Sequence, residues 1–407
     1  MKKCFKYRLY PNQNQEIKLE RCLDQACFLY NQMLDIKQQI YLGEGINLSE
    51  FDLNNLLKDF NTPALHSQVK QNIPKRISEA FNSFFRRVKN KEEPGFPKFK
   101  KRVFYSSITF PQYKSKIKEN KVDISKVGKI ELVEHRPLEG KMKTLTIKKE
   151  NNEWYAVFSC EECPVEKQDF QFTSEVEGLD VGIKNFLVSS DGQEISNPKW
   201  LRKSENKLIT LQRRLSRKKK GSKNRKKARI KLNKYHTKIS RQREDFHKKL
   251  ARGLAMNVKY IGIESLNIQG MVKNHCLAKS INDCGWGSFF SYLKYYKTIF
   301  GGKIIEVGMF EPTSQTCSDC GHKQSMPLEN RTFICENCSM VKDRDFNASF
   351  NIKKLTIKKL IEKEINFNTE GHSGIYVSGA GVRPFVFEQR AVGDEGETKR
   401  VEVLCNQ

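Results

Sequence analysis

The sequence predicts an α+β multidomain protein. A helical block is set into a small β-barrel or sheet, and an α/β half with a cysteine-rich insertion follows. Three observations carry this expectation. The apolar period switches from two to about three and a half and back again before residue 172, then alternates between strand and helix. Positive charge is concentrated in one segment. Four of the twelve cysteines form two C-x-x-C pairs.

The chain has 407 residues, enough for two or three domains at about 150 each. With 38% hydrophobic and 10% aromatic residues it can bury a sizeable core. No apolar stretch approaches the ~20 residues that span a bilayer, so a membrane protein is excluded. The opening MKKCFKYRLYPNQNQ lacks the apolar centre of a secretory leader, so none is expected.

KKCFKYRLYP alternates apolar and basic positions up to Pro11 and reads as a strand. From about Asn14 to Tyr41, Ile17, Leu19, Leu23, Ala26, Cys27, Tyr30 and Leu34 recur at helical steps. A second helical region covers roughly Ser49 to Asp59. A third follows Pro63, with Val69, Ile73, Ile77, Phe81, Phe84 and Val88 on one stripe. Pro74 falls inside that stripe, so this helix is expected to start or kink there. The segment KEEPGFPKFKKR (91–102) closes the helical block. SSITF, KIELVE, KTLTIKK and EWYAVFSC then read as short strands, completed by the N-terminal one. Cys160 and Cys163 end the last run; with no second pair nearby they read as incidental thiols.

VEGLDVGI and FLVSS are apolar strands followed by the turn Asp191-Gly192. Between Leu201 and Leu250 stand 21 Lys and Arg against three Asp and Glu, about two-thirds of the whole net charge of +27. Both flanks of RKKKGSKNRKK keep helical period, so a basic helical hairpin turning near Gly221-Ser222 is expected. That charge density calls for a polyanion, and nucleic acid is the reading that fits. A membrane-surface helix fits less well, because the stretch carries no strong aromatic stripe. A strand YIGIESL, a helix from about Trp286 to Phe300, a strand KIIEVGMF, the cysteine element and a helix near Phe346 complete the half.

Three acids occupy element ends here. Asp180 lies inside an apolar strand between Gly178 and Gly182, Glu264 at the exit of YIGIESL, and Asp345 at a helix start beside small Ala348 and Ser349. A buried acid costs several kcal/mol unless paired or metal-bound. One such acid is more often a satisfied core residue. Three at the ends of adjacent elements are what an RNase H-like sheet needs to bring carboxylates together. Such a trio would bind two Mg²⁺ or Mn²⁺ ions about 3.5–4 Å apart for phosphodiester cleavage. Asp343 competes with Asp345 but reads as a loop-ordering residue. The C-x₂-C-x₁₄-C-x₂-C element, Cys317, Cys320, Cys335 and Cys338, predicts one structural Zn²⁺ ion, with His322 surplus. Arg331, in the insertion, is either solvated or a phosphate contact.

GLDVGIKNFLVSSDG, IGIESLNIQGMVKN, CGWGSFFSYLKYY, CSDCGHK…RTFICENC and DRDFNASFNI, in this order and spacing, resemble the TnpB proteins. These are the RNA-guided nucleases of bacterial and archaeal insertion sequences, relatives of the type V CRISPR effectors. KYRLYPNQNQ, FLYNQML and EPGFPKFKKR are similar as well, so the resemblance covers the chain to about Lys354. It implies an OB-like wedge β-barrel (1–12 and 96–172) with an inserted helical recognition bundle (13–95). A RuvC-like nuclease (173–310 and 342–366) would follow, carrying the basic hairpin 201–257 and a zinc ribbon (311–341). Beyond it, the Gly-rich, mixed-charge composition of 367–407 predicts a flexible tail.

By the same resemblance, Asp180, Glu264 and Asp345 are the catalytic, magnesium-binding carboxylates, and the four cysteines are the zinc ligands. A guide RNA derived from the transposon end would direct one protein per RNA to double-stranded DNA beside a short flanking motif. Gln71 and Ser107 are candidate readers of that motif, and Lys75 is a candidate nucleic-acid contact. Lys218, Lys219, Lys220, Lys226 and Lys227 would hold phosphates without reading bases. A cytoplasmic protein that joins the nucleoid on target is expected. Competing readings are a miniature type V effector, a nuclease-silenced repressor and a cut-and-paste transposase.

Overall fold

The computed structural model describes residues 2–113, 117–163, 171–309, 311–327 and 329–369, with side chains through Glu362. They fall into two compact units that meet in sequence between Val165 and Glu166.

In the first unit, β1 (Lys3–Tyr10) is followed by helices α1 (Gln13–Glu44), α2 (Glu50–Asn55) and α3 (Ser67–Lys89). Asn12 starts α1 with a capping box: its side chain accepts from Gln15 N–H while the Gln15 side chain accepts from Asn12 N–H. Gly45, at φ 70°, ends it. The expectation that α3 starts or kinks at Pro74 needs correction on the start. Capped by His66, the helix begins at Ser67 and runs through Pro74. Proline's fixed φ suits a helix, and the cost is the one bond its missing N–H would have made. Strands β2 (Ser107–Phe110), β3 (Lys121–Ile124), β4 (Gly128–Val133), β5 (Lys141–Glu150) and β6 (Glu153–Glu161) follow.

The six strands pair in the order β2-β5-β6-β1-β4-β3, all antiparallel. The N-terminal strand is thus the bridge between β6 and β4 at the sheet's centre. Phe5, Tyr7 and Leu9 on one face of β1 join Leu19, Leu23, Tyr30 and Ile73 from the helices in a single core. Cys160 and Cys163 are buried; Cys163 donates to the Glu139 carbonyl at 3.1 Å.

The second unit comprises β7 (Ser174–Asp180), β8 (Asn185–Ser189), β9 (Glu194–Ser196), α4 (Trp200–Ser216), α5 (Lys223–Asn257), β10 (Val258–Glu264), α6 (Ile268–Val272), α7 (Ala278–Cys284), α8 (Trp286–Phe300), β11 (Lys303–Val307), the ribbon β12 (Thr332–Ile334) and β13 (Val341–Asp343), and α9 (Arg344–Thr369). Five strands form a sheet ordered β11-β10-β7-β8-β9. β10 runs parallel to β7 and β11, whereas β7, β8 and β9 form an antiparallel meander. Asp191 shapes the turn at Gly192 (φ 91°), its Oδ1 accepting from Gln193 N–H at 3.1 Å.

The basic hairpin is α4 and α5. Leu208, Leu232 and Ile239 form its small seam, and Ser222 caps α5 after Gly221 (φ 86°). Helix α9 continues to Thr369, past residue 367 where a tail was expected; residues 370–407 lie outside the described residues. None of the described helices is long and apolar enough to cross a membrane.

Candidate active site and metal centre

Two glycines decide where the acids meet. Gly178 on β7 and Gly262 on β10 are register partners in the parallel ladder. A Cβ at Gly178 would stand 2.1 Å from the Ser349 carbonyl oxygen, and one at Gly262 would stand 2.0 Å from Thr356 Oγ1. Helix α9 therefore lies on bare backbone at both strands. Because strand side chains alternate, Asp180 and Glu264 emerge two residues further along on that same face, about 6.6 Å on. Asp345 precedes Ser349 by one turn, about 6 Å along the helix in the same sense. The three carboxylates accordingly line one cleft of about 860 Å³.

Their surroundings differ. Asp180 is pushed well above the usual carboxylate range, first by burial and then by the charges of Glu264 and Asp345; Arg344 pulls the other way. Glu264 Oε1 accepts from the Thr313 hydroxyl. Asp345 faces Arg344 Nη2 at 3.3 Å and Arg331 Nη1 at 3.6 Å. Asp343, read from the sequence as a loop-ordering residue, accepts from the backbone N–H of Asp345 (2.9 Å) and Phe346 (3.3 Å) and so caps the start of α9. Among the described residues the carboxylates are not packed as a single-ion cage. Only the four cysteines bring ligand atoms within 4.8 Å of one another. Carboxylate oxygens of this kind are donors that hard divalent cations prefer.

Cys317, Cys320, Cys335 and Cys338 could hold one metal ion. The Cys320 thiol is pulled down to about 6, first by the backbone N–H of His322 and then by the Asn337 side chain. His322 itself is exposed and contributes only backbone to the knuckle. Sequence reasoning missed what fastens this element to the cleft. Asn347 and Asn351, buried one turn apart on α9, grip its first loop. Asn347 donates to Thr316 O and accepts from Ser318 N–H, both at 2.8 Å; Asn351 donates to Thr313 O (2.8 Å) and Thr316 O (2.7 Å). Nothing in the pattern singles them out, because the helix face they share also carries Arg344 and Lys354. The clamp brings Arg331 into the cleft lining.

The other candidates divide between the units. Lys218, Lys219, Lys220, Lys226 and Lys227 are exposed around the hairpin turn. Gln71 and Lys75 are exposed on α3 in the first unit. Ser107, on β2, is half-buried, its hydroxyl accepting from Arg76 Nη2 at 3.1 Å.

Family models match three stretches. Residues 162–275 fit one described as "Probable transposase", and residues 286–352 fit a "Cas12f1-like, TNB domain". Residues 1–45 fit a "Helix-turn-helix domain", although here they form one strand and a single long helix. A Streptomyces pristinaespiralis protein designated a candidate RNA-guided DNA endonuclease is 30% identical over 86% of this chain and 89% of its own. The chain belongs to the TnpB family. A second member, the Escherichia coli protein InsQ, carries the same designation and is 27% identical over 86% of this chain and 90% of its own. One solved structure, a Cas12f1–sgRNA–target DNA complex, aligns over 87% of this TnpB chain and 99% of that one, at 17% identity and TM-score 0.34. TnpB-family membership makes this chain one of a family of nuclease enzymes.

Proposed function

We propose that this TnpB-family protein is an RNA-guided endonuclease. It cuts double-stranded DNA beside a short flanking motif, guided by RNA derived from the end of its own insertion sequence. The observation that carries the reading is the convergence of Asp180, Glu264 and Asp345 on one cleft, in the unit that also carries the basic hairpin. The strand order, an antiparallel meander followed by two parallel strands, supports an RNase H-like, RuvC-type nuclease sheet. The six-stranded sheet of the first unit would serve as the OB-like wedge, with α1–α3 as the recognition bundle.

In this reading the three acids hold two Mg²⁺ or Mn²⁺ ions, which when bound supply an activated water and charge stabilisation for the leaving 3′ oxygen. The chain's own residues supply the rest. Burial and the charges of Glu264 and Asp345 raise the Asp180 carboxyl, and an entering cation would favour its charged form. Thr313 fixes the orientation of Glu264, and Arg331 offers a guanidinium to the phosphate opposite the acids. The cysteines hold structural zinc, and Asn347 and Asn351 pass the rigidity of that knuckle to the helix bearing Asp345. The hairpin lysines neutralise phosphates, while base pairing with the guide reads the target. Gln71 and Ser107 would read the flanking motif, with Lys75 a further nucleic-acid contact.

The test is cleavage of a plasmid carrying a guide-matched site in Mg²⁺. Asp180→Ala should abolish cutting while RNA still co-purifies. Cutting at the wild-type rate would refute the carboxylate assignment. Sequencing the co-purified RNA should return one abundant species ending in variable sequence.

A further inference from the structure

The lining of the acidic cleft also holds cationic groups unused by the residues above. These are Lys184, Lys199 and Arg202, whose side chains have no hydrogen-bond or ion-pair partner among the described residues. The other basic groups of the lining are engaged: Lys279 with Glu205, and Arg331 and Arg344 with Asp345. In the same lining, buried Trp286 keeps its Nε1–H without an acceptor.

The three free cations are held in place. Asn197 joins the segments that bear Lys184 and Lys199: its side chain donates to Ile183 O at 2.8 Å and accepts from Lys199 N–H at 3.1 Å. Lys199 adopts a left-handed conformation, φ 51° and ψ 47°, immediately before α4. The carboxylate of Asp283, buried on α7, accepts the N–H groups of Leu201 (3.0 and 3.1 Å) and Arg202 (3.4 Å). The start of α4 is thus neutralised by protein and does not itself offer an anion site; the side chains around it do. From there α4 carries Lys203, Lys207, Arg213 and Arg214 towards the hairpin turn, continuing the positive strip.

We propose that Lys184, Lys199 and Arg202 grip successive phosphates of the DNA strand being cut and lead it from the first turn of α4 to the carboxylates. Asp283 is a positioning residue that holds this strip. The inference rests on the endonuclease reading and names the path of its substrate. The ligand class is a single polynucleotide strand, bound through its backbone without regard to base.

The experiment uses the full chain loaded with its guide RNA. In a cleavage-silent Asp180→Ala background, affinity for a single-stranded oligonucleotide is measured from about 50 to 200 mM salt. Adding K184Q/K199Q/R202Q should make the slope of log affinity against log salt shallower by about 2, three contacts at about 0.7 each. In the otherwise wild-type protein the same triple change should slow strand cleavage about tenfold at the higher salt, with guide RNA binding unchanged. The charge-retaining K184R/K199R/R202K should restore both.

Asp283→Ala gives the sharper sign. Removing a negative charge from a DNA-facing wall would by bulk electrostatics speed cleavage, whereas loss of a positioning residue slows it. An unchanged slope and rate in the glutamine variant, or faster cutting by Asp283→Ala, overturns the proposal. A wild-type complex that does not cut overturns the endonuclease reading itself.

Discussion

Alanine at Gly178 is a single-methyl perturbation whose effect follows from distance. The added Cβ would lie 2.1 Å from Ser349 O and 2.4 Å from Lys353 N, both backbone atoms of α9. Ordinary contact begins near 3.4 Å, so the helix must retreat by about 1.3 Å or the strand must bow by as much. Overpacking of this kind costs about 1–3 kcal/mol, and backbone against backbone lies at the upper end. For a unit of this size each kcal/mol shifts the midpoint by about 2–4 °C, so about 3 kcal/mol lowers the second unit's thermal transition by roughly 6–12 °C. The retreat also carries Asp345 away from Asp180 and Glu264. A displacement of about 1 Å in a catalytic group costs on the order of 10²-fold in rate, so cleavage falls beyond what the folded fraction explains. Gly253→Ala is the internal control. That glycine lies inside α5 with nothing within 4 Å of the place its new methyl would take, so the substitution should stabilise by about 0.5–1 kcal/mol. The assays are differential scanning calorimetry and single-turnover cleavage at a temperature where both variants are folded. A Gly178→Ala protein with wild-type melting and wild-type rate would refute the glycine-bed account of the site.

Elemental analysis should find one zinc per chain, and Cys320→Ser should lose it together with cleavage, since α9 is tied to the same knuckle through Asn347 and Asn351. Glutamine at Lys218, Lys219, Lys220, Lys226 and Lys227 should weaken guide RNA binding and flatten its salt dependence; unchanged affinity and slope would remove the hairpin from the RNA path. His247 is buried, bonded through Nε2 to the Cys284 carbonyl and through Nδ1 to the Ser288 hydroxyl. Burial pulls it down to about 4 from 6.5, the Cys284 bond opposing. Between those values the unfolded chain binds a proton that the folded one refuses, so stability falls as pH drops from about 6.5 to 4, by up to about 3 kcal/mol. His247→Gln should flatten that part of the stability–pH curve, which denaturant titrations across the window would read.

Much of the site was legible in the chain because its residues are costly anywhere else. Asp180 inside an apolar strand and Glu264 at the end of another invite a functional explanation on desolvation grounds alone. The two C-x-x-C pairs state a ligand set by spacing. Other features were invisible to pattern. Asn347 and Asn351 read as ordinary polar residues until the loop they clamp was in place. Lys184, Lys199 and Arg202 were three cations among many. Pro74 looked like a boundary, yet the helix runs through it, because burial of Val69, Ile73 and Ile77 on one face outweighs one missing hydrogen bond.

The sequence by itself determined most of the element pattern, the four-cysteine spacing and three acids in costly places, since period, spacing and the cost of burying charge are all local properties. Only the tertiary structure decided that the acids share a cleft, and that the side chains of Lys184, Lys199 and Arg202 in its lining have no partner among the described residues. The reason is register. Gly178 stands opposite Gly262, α9 rests on both, and two residues along each strand and one turn back along the helix bring Asp180, Glu264 and Asp345 to the same place.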